Sequence, residues 1–226
     1  MILNSYNRPK RVRDAVASVQ HQTYTNWELF IVDDNSNEHT QRVLAEIESE
    51  EPRCTVIQSH VDQKDRFLTT RYAICINLAI PRLTGDLVTY LTDDDVYYPH
   101  RFEKMVGVFE SNPGIYIVYG RQRLAGIDNG RVVPLGTREL VGITRSPASK
   151  VDHCSVMHRR RCFEKVPRWH DDKALWCAAD SYFFTELAKY WAFYPIDFIT
   201  DEHRQHGDGI QAKLGHDVEP WSGRFE

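Results

Sequence analysis

The residues best equipped for chemistry are three consecutive carboxylates, Asp93-Asp94-Asp95. They follow the apolar run Leu87-Val88-Thr89-Tyr90-Leu91 and precede Tyr97-Tyr98-Pro99. That run is short, β-rich and introduced by Gly85-Asp86, so it reads as a strand. Pro99 suits the first turn of a helix whose inward stripe would be Phe102, Met105, Val106 and Phe109. The acids then stand at the carboxyl end of a buried strand, where open α/β sheets hold their ligands. Two like charges about 4 Å apart cost about 4 kcal/mol at an effective dielectric of roughly 20. Such a run is kept cheaply only in full contact with water or beside a cation. Oxygen donors of this kind suit Mg²⁺ or Mn²⁺, and Mg²⁺ commonly joins carboxylates to a substrate's phosphates. Taken alone, the triplet is equally an ordinary solvated acidic turn.

A second acidic end supplies context. The run Trp27-Glu28-Leu29-Phe30-Ile31-Val32 reads as another strand and closes in Asp33-Asp34-Asn35-Ser36. Two neighbouring strand ends bearing acids make a polar floor for a ligand. Asp33 or Asp34 could accept from a ring N–H such as that of a pyrimidine. Asp93 could accept from ribose hydroxyls, leaving Asp94 or Asp95 for the metal. The chain has no Walker loop and no G-x-G-x-x-G after a strand. A diphosphate here would therefore depend on a metal and arginine, an arrangement suited to diphosphate as a leaving group. Asp180 is the candidate general base, and it is equally a preferred N-cap residue where the last helix begins. His203, Arg204 and His206 are candidates for metal or phosphate contacts, or an ordinary polar tail. Trp169, Trp176 and Tyr194 could stack on sugar, with core packing as the default.

The elements that must position these groups follow from pattern. Met1-Ile2-Leu3 is the stub of a first strand, with Asn4 to Pro9 as a loop. A helix follows from Pro9, with Val12, Ala15, Val16 and Val19 inward. Further elements are a helix from Thr40 to Ile47, a strand from Cys54 to Gln58, and a helix in the later part of Gln63 to Ile80. The stripe of that helix would be Leu68, Tyr72, Ile76 and Ala79, with Arg71 beside it. This β-α-β-α-β alternation predicts a mostly parallel central sheet flanked by helices, in an α/β fold. A strand from Ile115 to Tyr119 follows, then a glycine-rich stretch to Ser149 that reads as a hairpin or an excursion over the site. Cys154 to Met157 would return to the sheet. A short helix from Arg159 to Val166, a loop from Pro167 to Trp176 and a helix from Asp180 complete the pattern. One domain is expected: residues 1–120 for the nucleotide, 121–200 for the acceptor, and 201–226 as a flexible tail. The 226 residues suffice for such a core. A net charge of −4 argues against nucleic acid as a partner. No apolar run is long enough for a transmembrane segment and no signal peptide is evident. Five cysteines without paired spacing suit reduced thiols, which with the rest leads us to expect a cytoplasmic protein.

The order Ser5-Tyr6-Asn7-Arg8-Pro9, then Val32-Asp33-Asp34-Asn35-Ser36, then Asp93-Asp94-Asp95 resembles the family 2 glycosyltransferases of the GT-A fold. Glu28 to Glu38, Thr70-Arg71-Tyr72-Ala73, Val156-Met157-His158-Arg159 and Phe193-Tyr194-Pro195 are most similar to the spore-coat polysaccharide branch of that family. The resemblance runs from Leu3 to about Asp201. It implies a Rossmann-like nucleotide-diphospho-sugar transferase, inverting, that uses Mg²⁺ or Mn²⁺. It implies further that Ser5, Tyr6, Asn7, Arg8, Asp34, Arg71, Asp93 and Asp94 bind the nucleotide of a UDP- or dTDP-linked donor. Asp34 would take the pyrimidine N–H, and Asp94 or Asp95 would hold the metal. Asp95 stands where the spore-coat enzymes carry asparagine. Asp180 matches the family's base, and Arg204 with His206 matches a late pair near the diphosphate. The acceptor would be a hydroxyl of a saccharide or glycoconjugate. Two rival readings are a nucleotidyltransferase, whose glycine-rich loop Asn4 to Pro9 lacks, and a non-catalytic nucleotide- or carbohydrate-binding module.

Overall fold

The structure, a computed structural model, describes residues 1–128 and 130–206, without the side chain of Phe67. Four strands, β1 (Ile2–Ser5), β2 (Leu29–Asp33), β3 (Cys54–Gln58) and β4 (Leu87–Thr92), run parallel in the order β3-β2-β1-β4. The helices α1 (Pro9–Gln20), α2 (Glu38–Glu50) and α3 (Arg71–Ala79) connect them. Pro9 opens α1 where its missing N–H costs nothing. Asn37 starts α2 earlier than the apolar period predicts, because its Oδ1 accepts from Thr40 N at 3.0 Å and Thr40 Oγ1 at 3.1 Å. Alternation along each strand feeds two cores. Ile2, Phe30 and Val32 pack on one face of the sheet with Ala73 and Ile76 of α3. Leu3, Leu29 and Ile31 pack on the other with Val12 and Val16 of α1 and Leu44 of α2. Burying each such side chain contributes about 1.5–3 kcal/mol. The stripe predicted for α3 is corrected at its start. Leu68 lies outside the helix and is exposed, while Arg71 is buried.

Residues beyond β4 interleave antiparallel strands into the same sheet. They are β5 (Val96–Tyr97), α4 (Arg101–Ser111), β6 (Ile117–Asp128), β7 (Arg131–Arg138), β8 (Val156–Arg159), α5 (Ala179–Ala188) and β9 (Phe193–Gln205). The full order is β3-β2-β1-β4-β8-β6-β9-β5, with β7 paired to β6 as the far arm of a hairpin. The short helix expected over Arg159 to Val166 is a 3₁₀ turn, Arg160–Glu164.

One expectation is overturned outright. Residues 201–205 are not tail but the end of β9, which runs parallel to β6 across its length. Hydropathy missed this strand because its inward residues are polar and paired. Asp201 is fully buried against Arg101 (3.1 Å), Gln122 (2.6 Å) and Thr200 (2.6 Å). The two strands approach so closely that a Cβ on Gly120 would lie 2.2 Å from Thr200 Cγ2, so only glycine fits. The remainder of the expected tail, 207–226, lies outside the described residues. Among those described, no helix is long and apolar enough to cross a membrane.

Candidate active site

Strand register brings the two acidic ends together. Ser5 pairs with Asp33 on one side of β1, and Asn4 pairs with Thr92 on the other, so Asp34 and Asp93 flank Ser5 at one edge. The backbone N–H of Asp34 donates to Ser5 O at 2.9 Å. Ser5 Oγ and the Tyr6 N–H donate to Asp93 Oδ2 at 3.2 and 2.9 Å. Asp33 turns inward and accepts from Ser36 N at 3.1 Å, which leaves Asp34 as the outward member of that pair. Asn7, in the left-handed region at φ 54°, staples the loop after β1 to the loop after β2 through Ser36 (2.9 Å) and Asn37 (2.7 Å).

Around the triplet, negative charge exceeds positive among the described residues. Arg8 Nη1 reaches Asp93 Oδ1 at 2.8 Å and Asp94 Oδ2 at 2.6 Å, one guanidinium for two carboxylates. Burial, followed by the charge of Asp94, pushes the Asp93 carboxyl up to about 6, against the pull of Arg8. Asp95 turns toward β9 and accepts from Thr92 Oγ1 (3.0 Å), His203 (3.1 Å) and Arg204 N (2.8 Å). Burial disfavours the His203 cation, but the bond to Asp95 and the charges of Asp95 and Asp152 outweigh it and raise His203 to about 9. The Arg204 guanidinium pairs with Glu202 at 2.9 Å. His206 follows directly on β9, half-buried. Among the described residues Asp94 is bonded only to Arg8. It is the carboxylate with room for a further cation. The donor set is all oxygen with one imidazole alongside, which fits Mg²⁺ or Mn²⁺.

At Asp34 the balance is reversed. Its carboxylate takes Arg66, Arg71 and, at 3.0 Å, Ser59 Oγ. Arg66 also reaches the Asp34 carbonyl, and its guanidinium lies 3.6 Å from the Tyr6 ring centroid. Arg71 is therefore buried against Asp34. Nothing in the pattern pointed to Arg66, which sits on a 3₁₀ turn (Arg66–Leu68) that periodicity cannot place.

Asp180 joins this edge through α3. Asn4 Nδ2 donates to Tyr72 O at 3.3 Å, and the Tyr72 hydroxyl accepts from the backbone N–H of Asp180 at 3.2 Å. Ala178, not Asp180, stands at the N-cap of α5, and Asp180 lies in its first turn. Asp180 Oδ1 accepts from Ser181 N at 2.7 Å, and Oδ2 faces His153 Nδ1 at 3.9 Å. Burial pushes its carboxyl up to about 6. Asp152 adds to that rise, and His153, Ser181 and Arg138 oppose it. The side chain stays 18% exposed, enough to meet a substrate. Asp152 and His153 were missed in the sequence; an acid–histidine step at the mouth of a predicted strand was the one available signal. Trp169 is fully buried, stacked on Phe183 at 4.6 Å, so it serves the core and not a sugar.

Residues 1–160 of the 226 match glycosyl transferase family 2. The chain belongs to that family. Protein CgeD of Bacillus subtilis (strain 168) is 36% identical over 217 residues, covering 93% of this chain and 51% of its own length. The chain thus spans about half the length of that relative. Among solved structures, S. aureus TarS 1-349 in complex with UDP-GlcNAc superposes with a TM-score of 0.70 at 15% identity, over 94% of this chain and 59% of that one. The mannosyltransferase PcManGT from Pyrobaculum calidifontis, in complex with GDP-Man and Mn²⁺, gives 0.67 at 15% identity, over 89% and 55%. These likenesses establish the GT-A fold.

Proposed function

We propose that this chain is the donor-binding and catalytic part of an inverting glycosyltransferase. It would move a sugar from a UDP- or dTDP-linked donor to a hydroxyl of a saccharide or glycoconjugate. One observation carries the reading: Asp34 and Asp93 to Asp95 stand at strand ends on either side of Ser5, and Tyr72 links Asp180 of α5 to Asn4 of the same strand. UDP and dTDP present the same ring N–H, and Asp34 is the carboxylate that would accept it beside Tyr6 and Arg71. Asp93 would take the ribose. Mg²⁺ or Mn²⁺ held by Asp94 and Asp95 would neutralise charge developing on the departing diphosphate. Arg204, whose backbone N–H donates to Asp95, and His206, two residues on, would lie toward that charge.

Asp180 takes the acceptor hydroxyl's proton while that oxygen attacks the anomeric carbon from the face opposite the diphosphate. The new glycosidic bond forms as the bond to diphosphate breaks, and the centre inverts. A base with its carboxyl near 6 is mostly ionised at neutral pH yet basic enough to help. Replacing it tests the assignment. Asp180→Asn lowers release of UDP from UDP-N-acetylglucosamine or UDP-glucose by ~10²–10⁴-fold, while calorimetry finds UDP affinity in Mn²⁺ unchanged. Turnover at the native rate would end the role of Asp180. Asp94→Ala abolishes the gain in UDP affinity that Mn²⁺ brings, and a gain that persists would remove Asp94 from the metal site.

A further inference from the structure

Asp180 does not stand alone at the start of α5. The 3₁₀ turn His153–Ser155 places an imidazole between two half-buried acids, Asp152 beside it in the chain and Asp180 across the gap at 3.9 Å. That ring has little freedom. It stacks on Tyr72 at 5.8 Å between centroids and 27° between planes, and meets Trp169 edge-on at 6.1 Å. Its Nε2 lies 3.7 Å from the Cys154 sulfur, leaving Nδ1 toward Asp180. Tyr72 therefore serves twice, holding the backbone of Asp180 by its hydroxyl and the face of His153 by its ring.

We propose that His153 is a positioning residue for the base, its locked imidazole setting the charge and direction of the Asp180 carboxylate. The inference rests on Asp180 being the base. Among the described residues, these charged or titratable groups face the pair. Asp152 adjoins His153, Arg138 reaches in from β7 to Asp152 at 3.3 Å, and Cys154 lies on the ring's far nitrogen. Tyr72 approaches from α3, and Cys177 precedes α5. Without the imidazole, burial and the charge of Asp152 would act on Asp180 with only Arg138 and the Ser181 N–H against them. The acid would then hold its proton to higher pH and lose basic form near neutrality. Asp152 shares the imidazole: Gln122, the Cys154 N–H and Arg138 hold it (3.0, 2.9 and 3.3 Å), and against its burial the charges of His153, Arg138 and His203 keep it well below the usual carboxylate range.

The test is a carboxyl ¹³C titration of aspartate-labelled protein, with the Asp180 signal assigned by its loss in Asp180→Asn. In His153→Asn and His153→Leu the Asp180 midpoint rises by about one pH unit. In the native chain its signal carries a second step at the pH where the His153 imidazole titrates, as interacting sites must. That native measurement holds even where a variant fails to fold. A midpoint unmoved in a folded variant, or a native signal without the second step, overturns the proposal. Turnover that survives Asp180→Asn overturns the base itself, and the role of His153 with it. Turnover lost in Asp180→Asn together with an unmoved midpoint overturns His153 alone.

Discussion

Asp34 and Asp94 close strands that flank the same neighbour, β1, yet the molecule treats their charges in opposite ways. Two guanidiniums and a hydroxyl converge on Asp34. Among the described residues, a single guanidinium is shared between Asp93 and Asp94. One end is electrically closed by the protein itself. The other is left in deficit, which is what a site for an outside cation requires. Identical strand ends thus acquire different uses from partners far along the chain.

Breaking the closed end should have the largest effect on stability. Asp34→Asn leaves the buried Arg66 and Arg71 without their carboxylate and lowers unfolding free energy by about 3 kcal/mol. Urea denaturation measures it. A loss of only a few tenths would mean that water reaches both arginines and the closure is superficial.

The open end should respond to pH in two windows. Asp93 has a folded value of about 6 against an ordinary 3.8. Its folded form binds the proton more tightly, so its contribution to stability is full below about 4 and is lost as pH rises through 6. His203 is raised to about 9 from 6.5, so the stability it gives through Asp95 is full below 6.5 and is lost as pH rises through 9. Each is worth about 3 kcal/mol at most. Asp93→Asn should flatten the acid window and His203→Gln the alkaline one, read as differences from the native denaturation curves. If either variant keeps the native pH profile, the charge deficit at this end has been misjudged.

The same contrast decides how much could be read from sequence. Strand ends, turns and the apolar faces of α1 and α4 follow from local period, and so the two acidic termini and their shared edge were legible. Partners were not. Arg66 comes 32 residues after the Asp34 it binds, and Arg8 precedes Asp93 by 85. No local signal spans such distances. The strand β9 was hidden for a related reason. Its segment Asp201-Glu202-His203-Arg204 reads as solvated tail, yet Asp201 and Glu202 are buried, and Arg101, Gln122 and Thr200 satisfy Asp201. Hydropathy records the cost of burying those groups without the pairs that offset it. Asp180 could be named in advance, but its neighbours Tyr72 and His153 arrive from 108 and 27 residues away.

The smallest expected effect bears most directly on how the closed end opens. A carboxylate offers about four lone-pair positions. Arg66, both donors of Arg71 and Ser59 already fill those of Asp34. For Asp34 to accept from a pyrimidine, one donor must leave. Arg71 is fixed on α3, whereas Arg66 rides on a three-residue 3₁₀ turn. Arg66 also makes both contacts a base would make there, a planar face on Tyr6 and an N–H to Asp34. Arg66→Ala should therefore tighten UDP binding by a few-fold, about 1 kcal/mol, because the ligand no longer displaces a bound group. Calorimetry in the presence of Mn²⁺ reads the difference. Weaker binding in Arg66→Ala would instead make Arg66 a contact to the nucleotide, and the closed end would be one that holds its ligand without ever opening.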